Sequence, residues 1–364
     1  MSNAKLYNKI KLLTGISETV IFLALVLVFV LSGLSDTIYK YASGISENEY
    51  IRLIIFAGIA GGGVSVLFSP FSFFSGYYIE HKFSLSNQSL LRWFTEGFKS
   101  VALSIVIGIP VLLAFYYFLN ISGDFWWVYF GAFLFFFSVL LAKIAPVFIL
   151  PLFYKILPLE DAELKAIIAK LGKDAGINVE NVYSFDMSKN TKKANAAFTG
   201  LGKSKKVILG DTLLEKFGKD EIETVLAHEF GHYKFRHIPK GIFISTITSF
   251  LTLYVISVLY SFSVQSLGFE SITNIAALPL LLFWSAIISI LTTPISNIIS
   301  RKFEYEADNY AVTVTGKSES FIAALEKLTE QNLGDPEPHP FVEWFFYSHP
   351  SIKNRVKALD TKSI

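Results

Sequence analysis

Apolar residues in this chain are gathered into six long windows rather than spread at the period of a surface helix or a half-buried strand. The windows run near Ile16 to Leu34, Leu53 to Phe74, Val101 to Leu119, Trp126 to Phe148, Gly241 to Val264 and Ile275 to Ile299. An α-helix rising 1.5 Å per residue needs about 20 residues to cross roughly 30 Å of hydrocarbon, so the pattern predicts about six transmembrane helices. No small-residue cleavage pattern follows the first window, which is expected to stay as an anchor. Gly58 to Gly63, inside the second window, is expected to form a small-residue helix contact, because no Lys-Ser/Thr pair follows it as a phosphate loop requires.

Basic residues alternate from one connection to the next. Lys5, Lys9, Lys11, Lys82, Arg92, Lys99, Lys143, Lys155, Lys234, Arg236, Lys240, Arg301 and Lys302 fall on one side, while Asp36, Lys40, Glu47, Glu49, Asp124 and Glu270 fall on the other, with Arg52 at a membrane edge. The positive-inside bias then predicts that both termini are cytoplasmic. The membrane helices divide into windows one to four over residues 1–150, with a cytoplasmic connection at 75–100, and windows five and six over 241–299. What remains, 151–240 and 300–364, shares the cytoplasmic side and is expected to form one domain split by a membrane hairpin. Its first part reads as α+β: a helical pattern in Asp161 to Ala175, then strand-like Val179 to Phe185, Ala194 to Phe198 and Lys206 to Leu209 around a turn at 200–205. In the second part, Asp335 to Pro340 reads as a Pro-rich turn before a final helix.

Composition narrows the chemistry. Hydrophobic residues make up 52% and charged residues 17%, and mean hydropathy is +0.48. Thirty-two basic against 30 acidic residues leave +2, with no basic run, so nucleic acid is not an expected partner. The absence of cysteine removes disulfides, thiol nucleophiles and thiolate metal sites, leaving histidine and carboxylate for any tightly held transition metal.

A candidate metal site lies just before the fifth window. Asp220 is expected to cap a helix, with Glu223 completing a capping box, and that helix carries His228-Glu229-Phe230-Gly231-His232. Histidines four apart share a helix face and suit one Zn2+ ion, and Glu229 between them is placed to take a proton from the attacking water. The plain alternative, two exposed histidines on a solvated face, accounts less well for the apolar Val225-Leu226-Ala227 run before the motif or for a third ligand downstream. That ligand is expected in Ser300 to Asp308, where Glu304 and Asp308 are four apart on one face. Glu304 would bind the metal and Asp308 would receive a histidine N–H, while Glu306 is expected to point elsewhere. Windows five and six form an antiparallel pair, so their cytoplasmic ends should bring His232 and Glu304 together. A zinc site there would lie near the inner membrane surface and suit a membrane-bound or lipid-anchored substrate.

Four blocks carry a resemblance: His228 to His237, Ser300 to Asp308, Asn195 to Gly200 and Ser348 to Val356. In these, and over about Gly76 to Leu359, the chain resembles integral-membrane zinc metalloproteases related to the type I CAAX prenyl proteases, the a-factor-converting endopeptidase group. The resemblance implies that His228, His232 and Glu304 ligate one zinc ion and that Glu229 is the general base. It further implies that Asn195, Ala196, Ala197 and Phe198 lie on an edge strand that pairs with substrate peptide. His349 would be a donor to the oxyanion and Arg355 would hold it or a nearby carboxylate, with His339 a turn histidine. Two departures, a missing further amino-terminal span and an altered Tyr78 to Asn87 loop, point to a prokaryotic relative whose substrate need not be prenylated.

The expected protein is mainly α, a polytopic membrane protein with about six transmembrane helices and a split cytoplasmic α+β, gluzincin-like zinc-metalloprotease domain. It would hydrolyse peptide bonds of membrane-associated or lipidated substrates. A heat-shock type quality-control metalloprotease, and a transporter or binding scaffold with structural zinc, are the two other readings. Against the last, charged residues are scarce in the windows and Glu229 would have no task.

Overall fold

A computed structural model describes residues 2–176, 179, 181–199 and 206–360 of the chain. The expected turn at 200–205 lies outside the described residues. Helix α1 (Asn3–Leu31), capped by Ser2, covers the first window. Helix α2 (Leu34–Ile45), too short to span, was not predicted. Asn48 caps α3 (Glu49–Phe73), which passes through a π turn into α4 (Ile79–Lys82). The connection read at 75–100 therefore consists mostly of helix ends, with residues 83–89 between them. Helices α5 (Leu90–Ser122) and α6 (Trp126–Ile144), the latter continuing through a second π turn to α7 (Leu150–Phe153), hold the third and fourth windows. They belong to one helical stretch that folds back at Gly123, whose φ of 50° and ψ of −127° lie outside the range open to other residues.

Next comes the soluble fold. Strand β1 (Ile156–Pro158) precedes α8 (Ala162–Ala175), which Asp161 caps, then β2 (Asn181–Phe185), β3 (Ala196–Thr199), β4 (Lys206–Gly210) and α9 (Asp211–Lys216). Helix α10 (Lys219–Lys234) leads into two long membrane helices, α11 (His237–Ser266) and α12 (Pro279–Thr315). Three shorter helices follow: α13 (Ser318–Gln331), α14 (Pro340–Phe346) and α15 (Ile352–Asp360). Two helices, not one, therefore follow the turn at Asp335 to Pro340.

The sheet runs β1-β2-β4-β3, with β2 parallel to β4 and the outer pairs antiparallel, so β3 is an edge strand. One core joins both soluble segments: Leu164, Ile168, Leu209, Leu226 and Phe230 from the first pack with Ala311, Phe321 and Leu325 from the second. In the membrane helices, large apolar side chains such as Val66 (71% exposed) and Phe136 (70%) face outward, where hydrocarbon is the compatible solvent.

The glycine patch corrects an expectation. A Cβ built at Gly58, Gly61, Gly62 or Gly63 meets nothing within 4 Å, so these residues form no helix contact. Gly61 instead lines an apolar cavity of about 490 Å³ with Phe22, Trp126 and Leu253. The missing side chain of Gly61 widens that space.

Phe321 is fully buried and belongs to the second soluble segment while packing into a core shared with the first. Phe321→Ala should cost about 3–5 kcal/mol. Thermal unfolding of the detergent-solubilised protein is expected to show both segments losing structure in one lowered transition.

Candidate metal centre

Helix α10 starts differently from its predicted form. Gly218 is the N-cap, and Glu221, three positions on, accepts from the Gly218 N–H at 2.7 Å. Asp220 and Glu223, read from sequence as the capping pair, instead hold Lys317 at the head of α13, each at 2.6 Å. The box fits Glu221 because its carboxylate reaches back one turn to a cap that needs no side chain of its own.

Two turns further on, α10 crosses α12 very closely. A Cβ at Gly231 would stand 3.0 Å from Ala307 Cα and 3.2 Å from Ala307 O. Only glycine lets the backbones approach this far. The crossing brings His228, His232 and Glu304 together, one ligand atom from each lying within 4.8 Å of the others. The two Nε2 atoms are 3.2 Å apart, and Glu304 stands 3.4 Å from His228 Nε2 and 3.3 Å from His232 Nε2.

The neighbours of these rings fix what faces the centre. His228 Nδ1 lies 2.8 Å from Asp308 Oδ1, which can only accept, so Nδ1 carries the proton and Nε2 a lone pair. His232 Nδ1 lies 3.0 Å from His237 Nδ1, and His237 Nε2 lies 2.9 Å from Glu306 Oε2. Glu306 accepts from His237 Nε2–H, His237 Nδ1 then accepts from His232 Nδ1–H, and His232 Nε2 is again a lone pair. Two imidazole lone pairs and a buried carboxylate thus face one point. Glu304 Oε2 finds no donor in hydrogen-bonding geometry. Acceptors gathered this closely repel unless a cation lies among them, so the donor set fits a metal ion. The local potential agrees: burial disfavours charge on His228, but hydrogen bonds to Asp308 and Glu304 outweigh it and push its pKa up to about 9. A proton and a metal ion compete for the same lone pair.

Of the remaining predicted residues, Asp308, His349 and Arg355 reach this point directly. Glu229 is half-buried, and no described side chain pairs with its carboxylate. Asp308 is clamped by Arg355, whose Nε donates at 2.8 Å. His349, its side chain 66% exposed, brings Nδ1 to 2.9 Å from Glu304 Oε2. Its segment is tied down by Glu343, which accepts from Ser351 N and Asn354 Nδ2, and by Arg301 and Asn297 of α12, which donate to carbonyls of residues 343, 345 and 347. His339 caps α14 through Nδ1. Strand β3, with Ala196, Ala197 and Phe198, packs beside α10. Asn195 precedes it with an exposed side chain, its carbonyl accepting from Gly210 N.

Glu306 stays out of the Glu304 group, as expected, and pairs with His237, a partner its spacing does not reveal. The helical periodicity of α12 alone separates Glu306 from the Glu304 face and gives no sign of a neighbour on its own side. His237, five residues beyond His232, was visible in the sequence, but its role depends on the break between α10 and α11.

A family model described as Peptidase family M48 matches residues 158–363. The chain belongs to peptidase family M48. A second model, CAAX prenyl protease N-terminal, five membrane helices, matches residues 1–155. The uncharacterized metalloprotease YhfN of Bacillus subtilis is 31% identical over 91% of this chain and 78% of its own length. CAAX prenyl protease 1 of Saccharomyces cerevisiae is 34% identical over 84% of this chain and 72% of its own. The crystal structure of S. mikatae Ste24p superposes with a TM-score of 0.87 at 30% identity, covering 98% of this chain and 88% of that one. This M48 member is an integral, multi-pass membrane metalloendopeptidase, and the family implies a metal at its centre. The heat-shock type and non-catalytic readings do not stand beside these matches.

Gly231→Ala should push α10 from α12 by a few tenths of an ångström at a cost of about 1–3 kcal/mol. Metal analysis of the purified variant is expected to show reduced occupancy, although every ligand side chain is retained.

Proposed function

We propose that this M48 protein is a zinc-dependent endopeptidase holding one Zn2+ through His228, His232 and Glu304. The convergence of two imidazole lone pairs and a buried carboxylate carries this reading. Bound zinc supplies Lewis acidity, lowering the pKa of water to about 7 and polarising a peptide carbonyl. Glu229, in sequence between both histidines and without a competing partner among the described side chains, takes the proton of the attacking water and hands it to the leaving amine. His349, exposed at the rim, donates to the oxyanion, while Arg355 keeps Asp308 oriented toward His228.

Substrate lies extended along β3. The pairing of that strand with β4 alone among the described strands supports β-augmentation over Ala196, Ala197 and Phe198, with the exposed Asn195 side chain placed to add a hydrogen bond. Helix α12 runs without interruption from its apolar window to Glu304, which supports a membrane-associated or lipidated peptide of CAAX prenyl protease type as substrate. The basic connections support a cytoplasmic catalytic domain, assembled from residues 151–240 and 300–364, and cytoplasmic termini.

Glu229→Gln should lower turnover by about 10²–10⁴-fold while zinc content stays at the wild-type level, whereas Glu304→Ala should lose zinc itself. Elemental analysis beside peptide cleavage separates the two; an active, zinc-loaded Glu229→Gln protein would remove the base assignment. Because the chain has no cysteine, Asn48→Cys and Lys302→Cys report orientation directly. An impermeant maleimide added to intact cells is expected to label the first alone.

A further inference from the structure

His237 has no task in the reading above, yet it is only 4% exposed and lies flat on Phe303, with ring centroids 4.2 Å apart and planes 7° from parallel. Both of its ring nitrogens are engaged in a fixed sense. The Glu306 carboxylate only accepts, so His237 Nε2 donates to it; His237 Nδ1 then has a lone pair to offer, and the group facing it is His232 Nδ1. We propose that His237, held by Glu306, is a positioning residue that fixes His232 in the tautomer whose Nε2 lone pair faces His228 and Glu304. The inference rests on the reading of His232 as a metal ligand.

The backbone supports this independently of the side-chain contacts. In a continuous helix, residue 237 would stand about 140° around the axis from residue 232 and face away from it. It does not, because Arg236 adopts the left-handed conformation, φ 56° and ψ 39°, between α10 and α11. Non-glycine residues seldom take that conformation unless their surroundings impose it. Here the turn brings His237 back beneath His232, and Phe303 and Phe235 flank its ring.

The two histidines of the centre are thereby oriented by different means. His228 meets the carboxylate of Asp308 directly. His232 is reached by Glu306 only through an interposed imidazole, so the sense of the hydrogen bond, rather than a neighbouring charge, holds its ring.

The test measures zinc affinity of the full chain in detergent, by competition with a chromophoric chelator, beside thermal unfolding of the chelator-treated protein. His237→Phe keeps the ring stack and removes both nitrogens. It is expected to weaken zinc binding about 10–100-fold without lowering the unfolding temperature of the chelated protein. Glu306→Gln, at the half-exposed end of the relay, is expected to weaken zinc in the same direction and covers the case in which His237→Phe fails to fold. The double variant should lose no more than His237→Phe alone, because both act through one chain of hydrogen bonds. Unchanged zinc affinity in the variants, losses that add, or a matching fall in the chelated unfolding temperature would each overturn the inference while leaving the metal site standing. A wild-type chain that binds no zinc would overturn the site and this inference together.

Discussion

The approach of two helix backbones at Gly231 and Ala307 sets the geometry of the centre. Helix α10 supplies both histidines and Glu229, α12 supplies Glu304, Glu306 and Asp308, and neither helix holds a complete site. Their separation is fixed by a contact between Ala307 and a glycine hydrogen, where any other side chain would meet backbone at 3.0 Å. Packed interiors do not absorb such changes by small uniform adjustment. The glycine inside the histidine motif is thus as much a part of the geometry of this centre as the proposed ligands, although it has no side chain to offer a metal.

That crossing also joins membrane to water. Helix α12 is a single 37-residue element whose first part lies in an apolar window and whose last part lies against the soluble core. Its partner takes another course, since α10 ends at Lys234 and a left-handed Arg236 intervenes before α11 begins at His237. The continuous leg keeps Glu304 at a set distance along the chain from the apolar window. The broken leg lets the histidine helix lie against the sheet, with β3 alongside it. A site built this way is tied to the bilayer on one side and to an open strand edge on the other.

What could be read from the sequence follows from how local each signal is. Twenty apolar residues in a row admit few structures, so the six windows correspond to α1, α3, α5, α6, α11 and α12. Helix α2 has 12 residues and β1 has three, too short for either periodicity to stand out. His228 with His232, and Glu304 with Asp308, were legible because a spacing of four puts side chains on one face of a helix. Gly218 as the cap was not, because a glycine cap has no side-chain signature. The pairing of His237 with Glu306 was least legible of all, since it depends on the φ of one arginine and on a contact spanning 69 residues. Small residues misled where their neighbours were unknown: Gly58 to Gly63 suggests close packing by composition, while the structure has open space beside it.

The charges around the centre follow from the same crossing. Glu304 and Asp308 bring two buried carboxylates against the histidines, and one guanidinium, that of Arg355, faces both, at 2.8 Å from Asp308 and 3.9 Å from Glu304. An excess of buried negative charge is unfavourable by itself and is tolerable only where a cation completes the set. Hence the residues that make the fold least stable in isolation are the ones a divalent ion stabilises most. Burial holds Glu304, and burial with the Arg355 hydrogen bond holds Asp308, while Glu229 stays half-buried and unpaired among the described side chains. The division proposed between carboxylates that would hold a metal and the carboxylate that would react is therefore one of packing, not of residue type.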